Sequence, residues 1–66
     1  MEDPMQILVD ALYAREMEWK DILLITAGLS DPMGQLDMAE WVVDHPNATA
    51  AEMIAEGNML IKKYQM

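Results

Sequence analysis

The sequence contains no cysteine and only one histidine among its 66 residues. Disulfides, thiolate metal sites and cysteine nucleophiles are therefore excluded, together with any metal site built from several histidines of one chain. A chain of this length buries only about 60% of its unfolded surface, so small domains usually rely on disulfides, metals or self-association. We therefore expect a homo-oligomer, a dimer or higher, with no metal and no other cofactor.

Basic residues are also scarce. Four lysines and arginines stand against twelve acids, which gives a net charge of −8 and an isoelectric point near 4.1. The first 61 residues contain only two bases, Arg15 and Lys20. Such a surface repels phosphate backbones and anionic lipid, so we expect no direct contact with nucleic acid or membranes.

Long apolar runs and a secretory signal are lacking too. The most apolar window, residues 22–29, is too short to span a bilayer, and the chain opens with Glu2 and Asp3 rather than with lysines. These features predict a soluble, cytoplasmic protein. Hydrophobic residues nevertheless make up 53% of the chain, which argues against disorder.

The first half of the chain is predicted to form one long helix. Asp3 and Pro4 suit a helix start, and no glycine or proline follows before Gly28, so the helix is expected over residues 4–27 with a length of about 36 Å. Its C-terminal part is apolar on nearly every side and needs cover from two other helices or from a second copy of the chain. The residues assigned to self-association are Ile22, Leu24 and Ile25.

Two shorter helices complete the expected fold. Asp31 and Pro32 predict a second start and Pro46 its end, which places a helix over residues 32–44. Thr49 and Glu52 have the spacing of a capping box, which predicts a third helix over residues 50–64. The sequence therefore predicts a small all-α domain over residues 1–66, with three helices of which the first is long.

No catalytic arrangement is visible. Asp37, Glu40 and Asp44 recur at helical spacing, but hard cations need six or more oxygens from a loop or several helices, so a solvated acidic stripe is favoured over a metal site. His45 has no serine or cysteine nucleophile placed beside it and is typical of a residue at a helix end. We expect that the protein is not an enzyme.

Residues 44–55 end one helix in His-Pro and begin the next with a threonine cap, an acid and an aliphatic–alanine pair. This pattern resembles the start of the helix-turn-helix in winged-helix regulators, and the resemblance implies a similar helix junction. That family continues with a basic recognition helix, whereas residues 56–66 contain no arginine. A degenerate helix-turn-helix regulator is accordingly a third hypothesis.

The leading hypothesis is a small acidic protein–protein interaction module. It would act as an inhibitor or adaptor that binds a basic surface of a protein partner through Asp37, Glu40 and Asp44. The second hypothesis is a structural module whose task is self-assembly. The eight methionines fit either a small core or an adaptable binding surface, and the sequence leaves both roles open.

Overall fold

A computed structural model describes residues 3–65, and all regular secondary structure in that range is helical. The helices are α1 (Pro4–Ala14), α2 (Trp19–Thr26), α3 (Pro32–Asp44) and α4 (Ala50–Tyr64). Residues 1, 2 and 66 of the expected domain lie outside the described range. The all-α class is confirmed, and the expected number of three helices is wrong, because the described part of the chain has four.

The expected continuous helix over residues 4–27 is wrong because the chain turns between α1 and α2. The Arg15 and Glu16 amides donate to the carbonyls of Leu12 and Tyr13 and close the last turn of α1. Glu16 then adopts a left-handed conformation with φ of 59°, which costs a residue other than glycine about 1–2 kcal/mol. A straight helix of about 36 Å would also exceed the longest dimension of the domain, 29 Å between Cα atoms.

The other helix starts follow the capping signals of the sequence. The Asp31 carboxylate accepts a hydrogen bond from the Met33 amide at 2.8 Å, and Asp3 caps α1 in the same way. The capping box of α4 is confirmed: the Thr49 amide donates to the Glu52 carboxylate at 3.0 Å, and the Glu52 amide donates to the Thr49 hydroxyl at 3.2 Å. Because these caps are local, α3 and α4 begin at the expected residues, and both helices also end where the sequence predicts.

The helices surround one core, with α1 packed mainly on α3, and α4 packed on both α2 and α3. Gly57 lets α4 approach α2 closely, since a Cβ atom there would lie 3.2 Å from Cγ1 and Cγ2 of Ile25. The buried Gln35 side chain donates to the Leu29 carbonyl at 2.8 Å and fixes the α2–α3 connection. The apolar core consists of Leu8, Leu12, Ile22, Ile25, Leu29, Met38, Ala39, Val42, Met53 and Leu60.

The methionines are divided between the core and the surface. Met38 and Met53 are buried in the core, whereas the side chains of Met33 and Met59 are 63% and 58% exposed. Within residues 3–65, no helix combines the length and the apolar character needed to cross a membrane.

Candidate functional site

The side of α3 that points away from the core combines apolar and acidic side chains. Three large apolar residues are exposed there, Met33 at 63%, Leu36 at 40% and Val43 at 70%. Glu40 and Asp44 are exposed on the same side of the helix. We call these five residues the outer face of α3. The opposite side of α3 is buried, so the helix presents this face from a packed position.

The acidic stripe expected to bind a partner is divided by the structure. Glu40 and Asp44 are exposed, whereas Asp37 is half-buried and its carboxylate accepts a hydrogen bond from the Tyr64 hydroxyl of α4. This bond raises the pKa of Tyr64, because the ionised phenolate has no proton to donate, and burial and the Asp37 charge act in the same direction. Asp37 therefore joins two helices, while Glu40 and Asp44 are open to a partner.

Arg15 holds the connection between α3 and α4 from the inner side. Its Nη1 atom donates to the carbonyls of Val42 at 3.1 Å and His45 at 3.0 Å. Its Nη2 atom donates to the carbonyls of Pro46 at 2.7 Å and Ala48 at 2.9 Å. The guanidinium thus satisfies carbonyls at the C-terminal end of α3, where a positive charge is favoured by the helix dipole.

This role of Arg15 has no local sequence signal, because its four acceptors lie 27 to 33 residues further along the chain. The sequence marks Arg15 only as one of two bases in the first 61 residues. The scarcity of arginine in an acidic chain is the one feature that singles it out.

A cavity of about 350 Å³ opens on the outer side of the same connection, and we call it the junction cavity. The rings of Trp41 and His45 stack with their centroids 4.2 Å apart and their planes 18° from parallel. Nδ1 of His45 lies 2.8 Å from the Trp41 carbonyl oxygen, and since a carbonyl can only accept, Nδ1 carries the proton. The cavity is lined by Trp41, Asp44, His45, Pro46, Asn47, Ala48 and Glu52.

Two carboxylates contribute to the wall of the junction cavity. Glu52 accepts from the Thr49 amide and interacts with its hydroxyl, and these contacts hold the pKa of Glu52 below its usual value. Asp44 is exposed and has no hydrogen-bond or ion-pair partner within residues 3–65. The cavity is therefore both aromatic and acidic. In that same range, no three acidic or histidine side chains are grouped so that they could hold a metal ion.

The residues assigned to self-association are distributed between core and surface. Ile22 and Ile25 are each 1% exposed and belong to the core, whereas Leu24 is 60% exposed. Two further large apolar residues of α2 are exposed although the sequence did not assign them to self-association, Trp19 at 56% and Leu23 at 46%. We call the exposed residues of α2 the outer face of α2, and they are Trp19, Lys20, Leu23 and Leu24.

No protein-family model matches the chain, and comparison with curated proteins and with solved structures finds no significant similarity.

Proposed function

We propose that this protein is a small acidic protein–protein interaction module that binds a basic, partly apolar surface of a partner through the outer face of α3. One observation carries the proposal: exposed apolar side chains and unpaired carboxylates occupy the same side of one helix. An inhibitor and an adaptor would use the same contact, since each has to cover a basic surface of its partner.

The apolar and acidic residues of this face supply different parts of the binding free energy. Burial of Met33, Leu36 and Val43 would supply apolar area, at roughly 25 cal/mol per Å² removed from water. Glu40 and Asp44, within a net charge of −8, would attract a basic partner and accelerate its association. A packed helix that inserts its exposed side into a groove is a common mode of recognition, and it requires no folding on binding.

The test compares two charge-reversed variants of equal net charge. Glu40→Lys with Asp44→Lys alters the outer face of α3, and Asp10→Lys with Glu16→Lys alters exposed positions elsewhere. Each pair replaces two acids by two bases and changes the net charge from −8 to −4. Partners captured by the parent protein are identified by mass spectrometry, and their association rates with all three proteins are measured at low and high salt.

We expect a basic partner that associates about tenfold more slowly with the α3 variant than with the control at low salt, with a smaller difference at high salt. Val43→Ser should accelerate dissociation, because it removes apolar contact without altering charge. Equal slowing by both charge-reversed pairs would show that net charge alone governs association and would reject this face. Duplex DNA should show no salt-sensitive binding, and tight binding at physiological salt would revive the helix-turn-helix hypothesis.

A second candidate function, self-assembly, is favoured by the outer face of α2. Lys20 is the only charged residue among the four exposed residues of α2, and the other three are large and apolar. Two copies that meet through this face would keep their acidic α3 faces out of the contact, where like charges would repel. Light scattering at tens of micromolar should then give a mass of at least two chains, and a strict monomer would reject self-assembly.

A further inference from the structure

We propose that the junction cavity receives one arginine side chain from the basic surface of the partner. This inference rests on the proposed function and assigns the residue type that the cavity recognises. Asp44 belongs both to the outer face of α3 and to the cavity wall. A partner arginine bound in the cavity would therefore lie directly beside the partner surface that contacts the outer face of α3.

The aromatic pair offers a stacking surface for a planar cation, because each ring of the stack has one face that the other ring does not cover. The stacked rings of Trp41 and His45 both line the cavity. A guanidinium group is planar and weakly hydrated, and it stacks on aromatic faces, whereas the ammonium group of lysine is a compact and strongly hydrated charge. An uncovered ring face therefore favours arginine over lysine.

The carboxylates provide the opposite charge. Asp44 has no partner of its own within residues 3–65 and can accept two parallel N–H bonds from a guanidinium. Glu52 offers a second negative charge on the same wall, and its capping contacts with Thr49 hold its carboxylate in place. The fixed carboxylate of Glu52 and the unpartnered carboxylate of Asp44, beside an aromatic surface, match a guanidinium by charge and by hydrogen bonding.

The orientation of the imidazole adds an acceptor. In the neutral tautomer whose Nδ1 donates to the Trp41 carbonyl, Nε2 carries a lone pair and can accept a hydrogen bond. No hydrogen bond to this atom occurs in residues 3–65. A guanidinium has five N–H donors, so it can bond Nε2 in addition to the carboxylate.

The cavity wall is held before any ligand arrives. Arg15 binds the carbonyls of His45, Pro46 and Ala48 from the inner side, which fixes the backbone that carries the cavity residues. A preorganised site avoids the entropy cost of ordering a loop on binding. The bonds from Arg15 also satisfy these backbone acceptors, so the side chains of the cavity wall are the groups that would bind a ligand.

The probe for the cavity is Nα-acetyl-arginine methylamide, titrated into the ¹⁵N-labelled full chain and followed by NMR. The expected result is saturable shifts of the Trp41 indole N–H and of the His45, Asn47 and Ala48 amides, with a dissociation constant on the order of 1 mM. The matching citrulline compound has the same shape without the charge and should bind at least about tenfold more weakly, because it lacks the ionic contact.

Two variants and one control locate the site. Asp44→Asn preserves the side-chain shape and should weaken binding about threefold, as expected for an exposed ion pair. His45→Ala should weaken it further by removing the stacked ring and the Nε2 acceptor. Asp10→Asn makes the same charge change on the exposed side of α1, away from the cavity, and should leave the dissociation constant unchanged.

Several results would overturn the assignment. Equal binding of the arginine and citrulline compounds would exclude recognition of the guanidinium, and equal binding of a lysine compound would exclude the stacking contribution. Equal effects of Asp44→Asn and Asp10→Asn would place the cation elsewhere. None of these outcomes involves the macromolecular partner, so failure of the cavity assignment and failure of the α3 contact are separately observable.

Discussion

Replacing Arg15 by methionine tests whether the α3–α4 connection depends on the guanidinium. Methionine retains an unbranched apolar side chain that can fill the space of the arginine stem, while it removes all four hydrogen bonds to backbone carbonyls. The substitution therefore separates the charged head of Arg15 from its packing.

The expected loss of stability follows from the surroundings of each acceptor. The bonds to Val42 and Ala48 are partly buried and should contribute about 1–1.5 kcal/mol each. The bonds to His45 and Pro46 are exposed, and water can replace the guanidinium there. Each of these two bonds should therefore contribute only about 0.5 kcal/mol to stability. The sum is roughly 3–4 kcal/mol, against a total stability of about 3–10 kcal/mol for a domain of this size.

Thermal denaturation followed by circular dichroism measures the effect. A loss of about 3 kcal/mol should lower the melting temperature by roughly 12–24 °C. Lys20→Gln is the charge control, because it removes one positive charge from an exposed side chain that pairs with Glu18 at 3.5 Å without making the outer face of α2 more apolar, and it should change stability by less than about 0.5 kcal/mol. A similar melting temperature for the two variants would show that the four hydrogen bonds of Arg15 do not stabilise the α3–α4 connection.

Three further predictions concern single side chains. Leu24→Glu should lower the mass seen by light scattering while helicity is retained, because Leu24 is 60% exposed; loss of helicity would contradict its surface position. The raised pKa of Tyr64 means that its bond to Asp37 stabilises the fold fully below about pH 10 and is lost as the pH rises through the higher folded value. As the pH is raised from 8 to 11, the free energy of unfolding should therefore fall less for the Tyr64→Phe variant than for the parent, as measured by thermal melts. Gly57→Ala should destabilise the domain by about 1 kcal/mol in chemical denaturation despite the better helix propensity of alanine, because the new Cβ would lie 3.2 Å from the branched side chain of Ile25.

The parts of the fold that sequence reasoning predicted are those with local causes. The starts of α3 and α4 depend on side chains within three residues of the capped amides, so Asp31 and Thr49 are sufficient to locate them. The turn between α1 and α2 has no such cause. It contains neither glycine nor proline, and Glu16 reaches its left-handed conformation in a fold where Arg15 binds carbonyls 27 or more residues away. The sequence feature that accompanies this turn is the segment of residues 15–21, in which five of the seven residues are charged.

The candidate site divides in the same way. Helical spacing is enough to place Glu40 and Asp44 on one side of α3, and both are exposed there. Spacing within one helix could not show that Asp37 is bonded to Tyr64, because that contact depends on how α4 crosses α3. The junction cavity likewise requires the end of one helix, the start of the next and the stacked rings of Trp41 and His45, so it exists only in the folded chain.

The two exposed apolar faces lie on helices that are not principal neighbours in the bundle. The main helix contacts of α2 are with α1 and α4, and those of α3 are also with α1 and α4. A dimer formed through the outer face of α2 alone would use none of the residues of the outer face of α3. Such a dimer would present two acidic faces, and a partner with two basic sites would bind it more tightly than it binds one copy, with no new contact required. Leu24→Glu would remove that gain while the affinity of a single α3 face remained unchanged, which distinguishes avidity from a direct contact of α2 with the partner.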